Sequence, residues 1–259
     1  MIGISDLEYL CAEVRQIARK AGAFLRDERQ KFDRERVEEK SAHNYVSYVD
    51  KESERRLVEQ LSTLLPEAGF IAEEGSGSLT DEEYCWVIDP LDGTNNYSQG
   101  LPVFTVSIGL QYRGETLLGV VYAPYLNELY TAIRGKGAFL NNAPIHVSDK
   151  TELDRSVLAT GFPYDKGIHP VNNIDNLSRI LPHLRGIRRM GSAAYDLCGV
   201  AAGFLDGYWE LGLKLWDVCA GVLVVQEAGG HVEPFREDRG IAILAGNAGI
   251  VEKMKEYIS

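Results

Sequence analysis

The sequence "WVIDPLDGTNNY" at residues 86–97 begins as an apolar run typical of a buried β-strand and then turns polar. Two carboxylates, Asp89 and Asp92, follow the run beside Gly93 and Thr94. Taken alone, Pro-Leu-Asp-Gly is good turn chemistry and needs no function. The alternative is that the two carboxylates are oxygen ligands for Mg²⁺. Gly93 would then let the backbone approach an anion, and Thr94 would open a helical turn whose N–H groups hold phosphate.

Two further segments place acidic residues at the ends of predicted elements. Glu73 and Glu74 follow the apolar run "FIA" at 70–72, where a solvated or salt-bridged strand edge is the ordinary explanation. Asp217 lies at the start of "WDVCAGVLVV", where the ordinary role is to cap a helix N-terminus. A cap leaves the second carboxylate oxygen available to a metal. The three segments together favour a metal site over three unrelated explanations.

The composition is that of a soluble globular protein of enzyme size. The chain has 259 residues, of which 45% are hydrophobic and 25% charged. Its formal charge of −11 argues against nucleic-acid binding, which rests on Lys and Arg neutralising phosphates. A bound cation would explain how an acidic protein attracts an anion. The N-terminus lacks the features of a secretion signal and no apolar run approaches the roughly 20 residues of a membrane span, so we expect no membrane association and a cytoplasmic location.

The apolar spacing predicts the order of elements in the first half. An amphipathic helix over residues 5–30 and a second helix from near Asp50 to Pro66 flank a polar loop or hairpin at 31–48. Strands are predicted at the apolar runs 70–72, 84–88, 103–112, 117–124 and 128–133. The turns "YRGE" and "YLNE" between the last three runs predict hairpins in a large antiparallel sheet. A bend rich in Gly and Asn follows.

The second half is predicted to alternate between strands and helices. Residues 191–203 are rich in small residues and predict a helix, "DGYWELG" predicts a strand, and residues 216–230 predict a helix ended by Gly229 and Gly230. The sequence contains no internal repeat or low-complexity linker. We therefore expect one domain over 1–259, with an α+β half at about 1–145 packed on an α/β half at about 146–259.

Three segments, in their order and separation, resemble the signatures of the inositol monophosphatase family of Mg²⁺-dependent phosphatases. They are "EEG" at 73–75, "DPLDGTNNY" at 89–97 and "WDVCAGVLVVQEAGG" at 216–230. The resemblance spans essentially the whole chain. It implies an α/β (α+β) fold of alternating layers, the αβαβα sandwich shared with fructose-1,6-bisphosphatase, with the site between the halves. It also implies a homodimer.

The resemblance further implies which residues hold two or three Mg²⁺ ions. Glu73 and Asp89, with the carbonyl of Leu91, would hold the first ion. Asp89, Asp92 and Asp217 would hold the second, and Glu73 could reach a weaker third. Two divalent ions roughly 3.5–4 Å apart can bind the attacking water and the leaving oxygen together.

Catalytic and substrate contacts are also implied by the resemblance. Thr94 paired with Asp50 would orient and help deprotonate the attacking water, with Glu73 as the third catalytic residue. The residues implied in substrate binding are Asp92, Gly93, Thr94, Gly191, Ser192, Ala193, Glu210 and Asp217. The ordinary alternative for Ser192 is a helix cap, and for Glu210 a buried ion pair.

One segment departs from the family pattern. Lys40 and Asp50 are kept in "KSAHNYVSYVD", but Asn44 stands where aspartate is usual and Ser47 where threonine is usual. The departure puts in question the help that this loop gives to a third metal, and it leaves the two-metal core intact.

The expected activity is Mg²⁺-dependent hydrolysis of a small sugar or polyol monophosphate, with inositol 1-phosphate as the leading substrate. Fructose 1,6-bisphosphate, histidinol phosphate and 3′-phosphoadenosine 5′-phosphate remain alternatives, because a metal site is indifferent to the alcohol it releases. A non-catalytic regulatory protein that binds a macromolecular partner is the alternative from another class.

Overall fold

A computed structural model describes residues 2–31, 37–41, 44–77 and 82–259. The α-helices within these ranges are α1 Ile4–Arg29, α2 Tyr48–Leu64, α3 Thr94–Gln99, α4 Ile174–Ile180, α5 Ala193–Ala201, α6 Leu215–Glu227 and α7 Ala248–Met254. The strands of the first half are β1 Val37–Ser41, β2 Asn44–Ser47, β3 Gly69–Ala72, β4 Tyr84–Asp92, β5 Thr105–Tyr112, β6 Glu115–Ala123, β7 Glu128–Ile133, β8 Ala138–Leu140 and β9 Ala143–Pro144. The strands of the second half are β10 Val157–Thr160, β11 Gly186–Arg188, β12 Gly207–Leu213, β13 His231–Arg236 and β14 Ile241–Gly246.

Strands β3 to β9 form one sheet in sequence order. Neighbours are antiparallel except β3 and β4, which run parallel. The hairpins predicted at "YRGE" and "YLNE" are confirmed, since Tyr112 pairs with Glu115 and Ala123 with Glu128. Helices α1 and α2 cover one face of this sheet, where the apolar stripe of α1 packs on buried strand residues such as Ile108 and Val120.

The second sheet has the strand order β11-β10-β12-β14-β13. Helices α5 and α6 lie between the two sheets and share one core with Val121 and Tyr130 of the first sheet and Tyr208 of the second. Trp209, the next residue along β12, faces the opposite side and packs with Ile180 of α4 and Ile250 of α7. The order of layers is therefore αβαβα, and the expected fold class is confirmed.

Three local predictions need correction. The strand at 84–88 continues to Asp92, because β4 pairs with β5 from Asp89↔Ser107 to Asp92↔Thr105 across an irregularity. The bend at 135–145 contains the short strands β8 and β9. Asp217 is the third residue of α6 and not its cap, since the helix begins at Leu215.

The polar segment at 31–48 forms a hairpin in its described part, where β1 pairs antiparallel with β2. The side chains of Lys40, Asn44 and Ser47 lie outside what the structure describes, so the effect of the unusual residues there stays a prediction. Among the helices in the described ranges, none is long and apolar enough to cross a membrane.

Candidate active site

The end of β4 carries two of the predicted ligands. Asp89 is almost fully buried, and its Oδ1 accepts a hydrogen bond from the N–H of Leu91 at 2.9 Å. The chain turns sharply only at Gly93, whose φ of +97° lies in the left-handed region that glycine adopts without strain. A Cβ atom at Gly93 would lie 3.2 Å from the carbonyl oxygen of Gly191, so glycine also permits the close approach of the two loops.

Helix α2 brings Asp50 to the first residue of α3. The hydroxyl of Thr94 donates to Asp50 Oδ1 at 2.8 Å, and its oxygen also lies 3.1 Å from the carbonyl oxygen of Leu91. Asp50 is 1% exposed, whereas Thr94 is half-buried, so the carboxylate is shielded from bulk water and the hydroxyl remains accessible. The structure thus brings together the two residues that the resemblance pairs in water activation.

Asp92 is held by the start of α5. Its Oδ2 accepts from the hydroxyl of Ser192 at 2.6 Å and from the N–H of Ala194 at 2.8 Å. Ser192 is also the N-cap of α5, because its Oγ accepts from the N–H of Tyr195 at 3.2 Å. Ser192 therefore has the ordinary capping role, and the same side chain also contacts a predicted metal ligand.

Asp217 and Glu73 approach from two other elements. Asp217 Oδ2 accepts from the N–H of Lys214 at 2.7 Å, which satisfies one backbone donor at the start of α6. Glu73 is half-buried in the turn that follows β3, next to the parallel strand β4. The candidate site therefore takes its carboxylates from β4, from the turn after β3 and from α6.

The acidic side chains raise one another's pKa. Burial raises the pKa of Asp89 well above its usual value, and the charges of Glu73, Asp92 and Asp217 raise it further. Burial and the charges of Asp92 and Glu73 do the same for Asp217, against the hydrogen bond from Lys214. For Asp92, burial raises the pKa to about 6 although the bonds from Ser192 and Ala194 lower it.

The chemistry of these oxygen donors fits Mg²⁺. In each of Asp89, Asp92 and Asp217, one carboxylate oxygen accepts the hydrogen bonds described above. No described residue donates to the other oxygen. Hard carboxylate oxygens are the ligands that Mg²⁺ prefers. In the described ranges, no three His, Cys, Asp or Glu side chains already stand in a ligand arrangement.

A cavity of about 90 Å³ opens beside the cluster. Both halves line it, with Asp92, Gly93 and Thr94 from the first half and Glu210 and Asp217 from the second. The first N–H groups of a helix have no partner within the helix and favour anions, so α3 places such donors at this cavity. The arrangement can hold a phosphate group.

The lining of the cavity also includes the residues expected to contact an alcohol. Gly191, Ser192 and Ala193 line it beside Glu210. Glu210 Oε2 accepts from the hydroxyl of Tyr208 at 2.7 Å, and burial raises the pKa of Glu210 to about 7. No ion pair joins Glu210 to a cation among the described residues, so the alternative of a buried ion pair is not observed.

Three ionisable residues at the cavity were not found from the sequence. Arg189 lines it, and its positive charge lowers the pKa of Asp92, Asp196 and Glu210. Asp196 is 2% exposed, and its Oδ1 has no hydrogen-bond partner among the described residues. The signal for Asp196 was a lone acid within an otherwise apolar helix. Tyr164 lies in an irregular segment where no pattern marked it.

Comparison with known proteins gives consistent matches over most of the chain. The model of the inositol monophosphatase family matches residues 6–257. A Nus factor SuhB of Pasteurella multocida is 44% identical over 220 residues, covering 84% of this chain and 82% of that protein. An inositol-1-monophosphatase of Mesorhizobium japonicum is 39% identical over 237 residues, covering 90% and 89%. The solved inositol monophosphatase of Anabaena (Nostoc) sp. has a TM-score of 0.86 at 38% identity, covering 97% of this chain and 95% of that one.

Proposed function

Since the chain belongs to the inositol monophosphatase family, we propose that it is a Mg²⁺-dependent phosphomonoesterase that hydrolyses a sugar or polyol monophosphate. The observation that carries the proposal is the meeting of four carboxylates with the pair of Thr94 and Asp50 beside one cavity. Two or three Mg²⁺ ions are the proposed cofactor. Glu73, Asp89, Asp92, Asp217 and the carbonyl of Leu91 would hold them.

Mg²⁺, when bound, lowers the pKa of a water molecule and stabilises charge on the leaving oxygen. The chain's own residues handle the proton. Because the Thr94 hydroxyl donates to Asp50 Oδ1, Thr94 Oγ1 presents its lone pairs to the water and orients it. The proton that the water loses passes through Thr94 Oγ1 to Asp50 Oδ1. The N–H groups of Gly93 and Thr94 hold the phosphate oxygens.

Inositol 1-phosphate is the proposed substrate. The relative named inositol-1-monophosphatase supports this choice, as does the presence in the cavity lining of Glu210, whose carboxylate can accept hydrogen bonds from the hydroxyls of a polyol. Fructose 1,6-bisphosphate, histidinol phosphate and 3′-phosphoadenosine 5′-phosphate are the alternatives. The fit of the metal donors does not separate them, because those donors face the phosphate and not the alcohol.

A regulatory binding role is the second candidate function. The relative named Nus factor SuhB is the observation that favours it. Against it as the sole function, the chain keeps the acidic cluster and the pair of Thr94 and Asp50. The net charge of −11 disfavours direct binding to nucleic acid.

From the family alone we propose that the protein is a homodimer that works in the cytoplasm. From the core that α5 and α6 share with both sheets, we propose that the chain is a single domain with halves at about 1–145 and 146–259.

The test is phosphate release from the four candidate substrates, each with Mg²⁺ and with EDTA. A Mg²⁺-dependent preference for inositol 1-phosphate is the expected result. Preference for another member would keep the chemistry and change the substrate. No release from any of them would overturn the enzymatic proposal and favour the regulatory role.

A further inference from the structure

Glu54 of α2 is a buried carboxylate that accepts hydrogen bonds from two backbone N–H groups and forms no ion pair with a cation among the described residues. Its side chain is 0% exposed. Glu54 Oε2 lies 2.6 Å from the N atom of Glu74, and Oε1 lies 2.8 Å from the N atom of Ser76. Burying a carboxylate is costly unless donors meet its charge, and two backbone N–H groups do so here. Glu54 therefore fixes the chain on both sides of Gly75.

The turn that Glu54 holds is the turn that carries Glu73. Gly75 has a φ of +90°, in the left-handed region, so the backbone reverses between the two N–H groups. The N atom of Glu74 belongs to the peptide unit that begins at Glu73, and that unit is planar. Fixing this N–H therefore restrains the peptide plane and the Cα atom of Glu73, the atom from which its side chain leaves the backbone.

Two neighbours of Glu54 on α2 hold other parts of the same site. Positions 50, 53 and 54 share one face of a helix. Asp50 accepts from Thr94 at 2.8 Å, and the hydroxyl of Ser53 donates to the carbonyl oxygen of Pro90 at 3.2 Å. One helix face thus sets the positions of the turn after β3, the end of β4 and the start of α3.

Resting on the proposed function, we propose that Glu54 is a positioning residue for the first metal: it places the Glu73 carboxylate for the ion and does not itself touch the ion. Replacing a residue that orients a metal ligand without touching the metal typically lowers metal affinity by about 10–100-fold. The same range is expected for Glu54. The consequence is a loss of Mg²⁺ affinity that is transmitted through Glu73.

The first experiment is calorimetric titration of the full chain with Mg²⁺ in the absence of substrate. Glu54→Gln keeps the size of the side chain but sets an NH₂ group against one of the two N–H donors, so one hydrogen bond is lost. We expect Mg²⁺ to bind about 10-fold or more weakly. Glu227→Gln is the matched control, because Glu227 accepts from the N–H groups of Gly135 and Gly137, each at 2.8 Å, in a glycine turn away from the acidic cluster. Its Mg²⁺ affinity should equal that of the wild type.

A second pair of variants perturbs the two turns without burying an unpaired polar group. Gly75→Ala strains the turn held by Glu54, and Gly135→Ala strains the turn held by Glu227, where φ is +76°. A Cβ atom at either position would meet no atom of the described residues within 4 Å, so the direct change there is backbone strain. We expect weaker Mg²⁺ binding for Gly75→Ala and no change for Gly135→Ala. This pair keeps the test open if Glu54→Gln does not fold.

The route through Glu73 is tested by a double-mutant cycle. In a Glu73→Gln background, adding Glu54→Gln should change Mg²⁺ affinity by less than about 2-fold, because the group that Glu54 positions is already gone. A general loss of stability would instead weaken Mg²⁺ binding by the same factor in both backgrounds. That result, or wild-type Mg²⁺ affinity in both Glu54→Gln and Gly75→Ala, overturns the inference. Absent phosphate release together with the expected Mg²⁺ affinities would overturn the proposed function and leave the role of Glu54 standing.

Discussion

Ser192 Oγ lies 2.6 Å from Asp92 Oδ2, and this hydrogen bond joins residues 100 positions apart. Asp92 ends a strand of the first sheet, whereas Ser192 caps a helix that lies between the sheets. The site is therefore completed by the packing of the two halves. The bond holds one oxygen of Asp92, and no described residue donates to the other, so that oxygen is available to a metal.

Asp92→Asn should abolish most of the turnover and leave the fold intact. An amide oxygen can still accept from Ser192 and Ala194, but the variant lacks the charge that would hold Mg²⁺. We expect turnover to fall by more than about 100-fold, because loss of a direct ligand exceeds the cost of losing an outer partner. Phosphate release and thermal unfolding measure the two effects. Near wild-type release would contradict the two-metal assignment.

The metal-free protein should lose stability as pH rises through the acidic range. The pKa of Asp92 rises from 3.8 to about 6 in the folded chain, so the folded state binds this proton more tightly than the unfolded state. Such a group stabilises the fold fully below about pH 4, and the contribution is lost as pH rises through about 6. The raised pKa values of Asp89 and Asp217 act in the same direction.

Thermal unfolding in EDTA at pH 5 and pH 8 measures this loss. We expect the wild type to lose a few degrees more than Asp92→Asn, since about 1 kcal/mol shifts Tm by roughly 2–4 °C at this size. Saturating Mg²⁺ at pH 8 should restore the Tm that the wild type loses, because the cation compensates the charge of the ionised cluster. An equal shift in both proteins would show that other groups control the pH dependence.

The sequence predicted the elements whose pattern is local. Helix α1 follows from apolar spacing, and the hairpins follow from their turn residues. The end of β4 was missed because Pro90 is a poor strand residue. Pairing with β3 stops at Ala72↔Ile88, so no β3 residue is paired with Pro90. The N–H that proline lacks is therefore not required for a hydrogen bond to β3.

In the candidate site too, the sequence predicted some residues and missed others. Its acidic residues were found because they cluster in short segments, such as Asp89 and Asp92 in "DPLDG". Arg189 was missed because tertiary packing brings it to the cavity and leaves no mark in the local sequence, whereas the mark of Asp196, a lone acid in an apolar helix, was not used. Glu54 was missed because its hydrogen bonds reach 20 and 22 residues along the chain, beyond any local pattern.

Thr94→Ala should reduce kcat and leave Mg²⁺ affinity nearly unchanged. The variant removes the hydroxyl that connects the water to Asp50, and loss of such a proton path costs about 10²–10⁴-fold in rate. Thr94→Ser is the matched control, because it keeps the hydroxyl and should retain most of the rate. Steady-state kinetics and Mg²⁺ titration separate the two effects. Equal loss in both variants would point to packing of the methyl group and not to proton transfer.

Glu210→Gln should raise KM for inositol 1-phosphate by about 10-fold with little change in kcat, since a hydrogen bond to a charged group contributes about 1.5–3 kcal/mol. Glu210 accepts polyol hydroxyls best when ionised, and its pKa is raised to about 7 by burial. In the wild type KM should therefore rise as pH falls through about 7. The pH dependence should vanish in Glu210→Gln.

Tyr208→Phe provides the matched test of this assignment. The hydroxyl of Tyr208 donates to Glu210 at 2.7 Å and lowers the pKa of that carboxyl. Removing the hydroxyl should raise the pKa of Glu210, because the ionised form loses a donor while the burial stays the same. The rise in KM should then begin at a higher pH than in the wild type. The assignment would be overturned if the pH dependence of KM were unchanged in Tyr208→Phe and persisted in Glu210→Gln. The titration would then belong to another group, and Glu210 would have no role in recognising the alcohol.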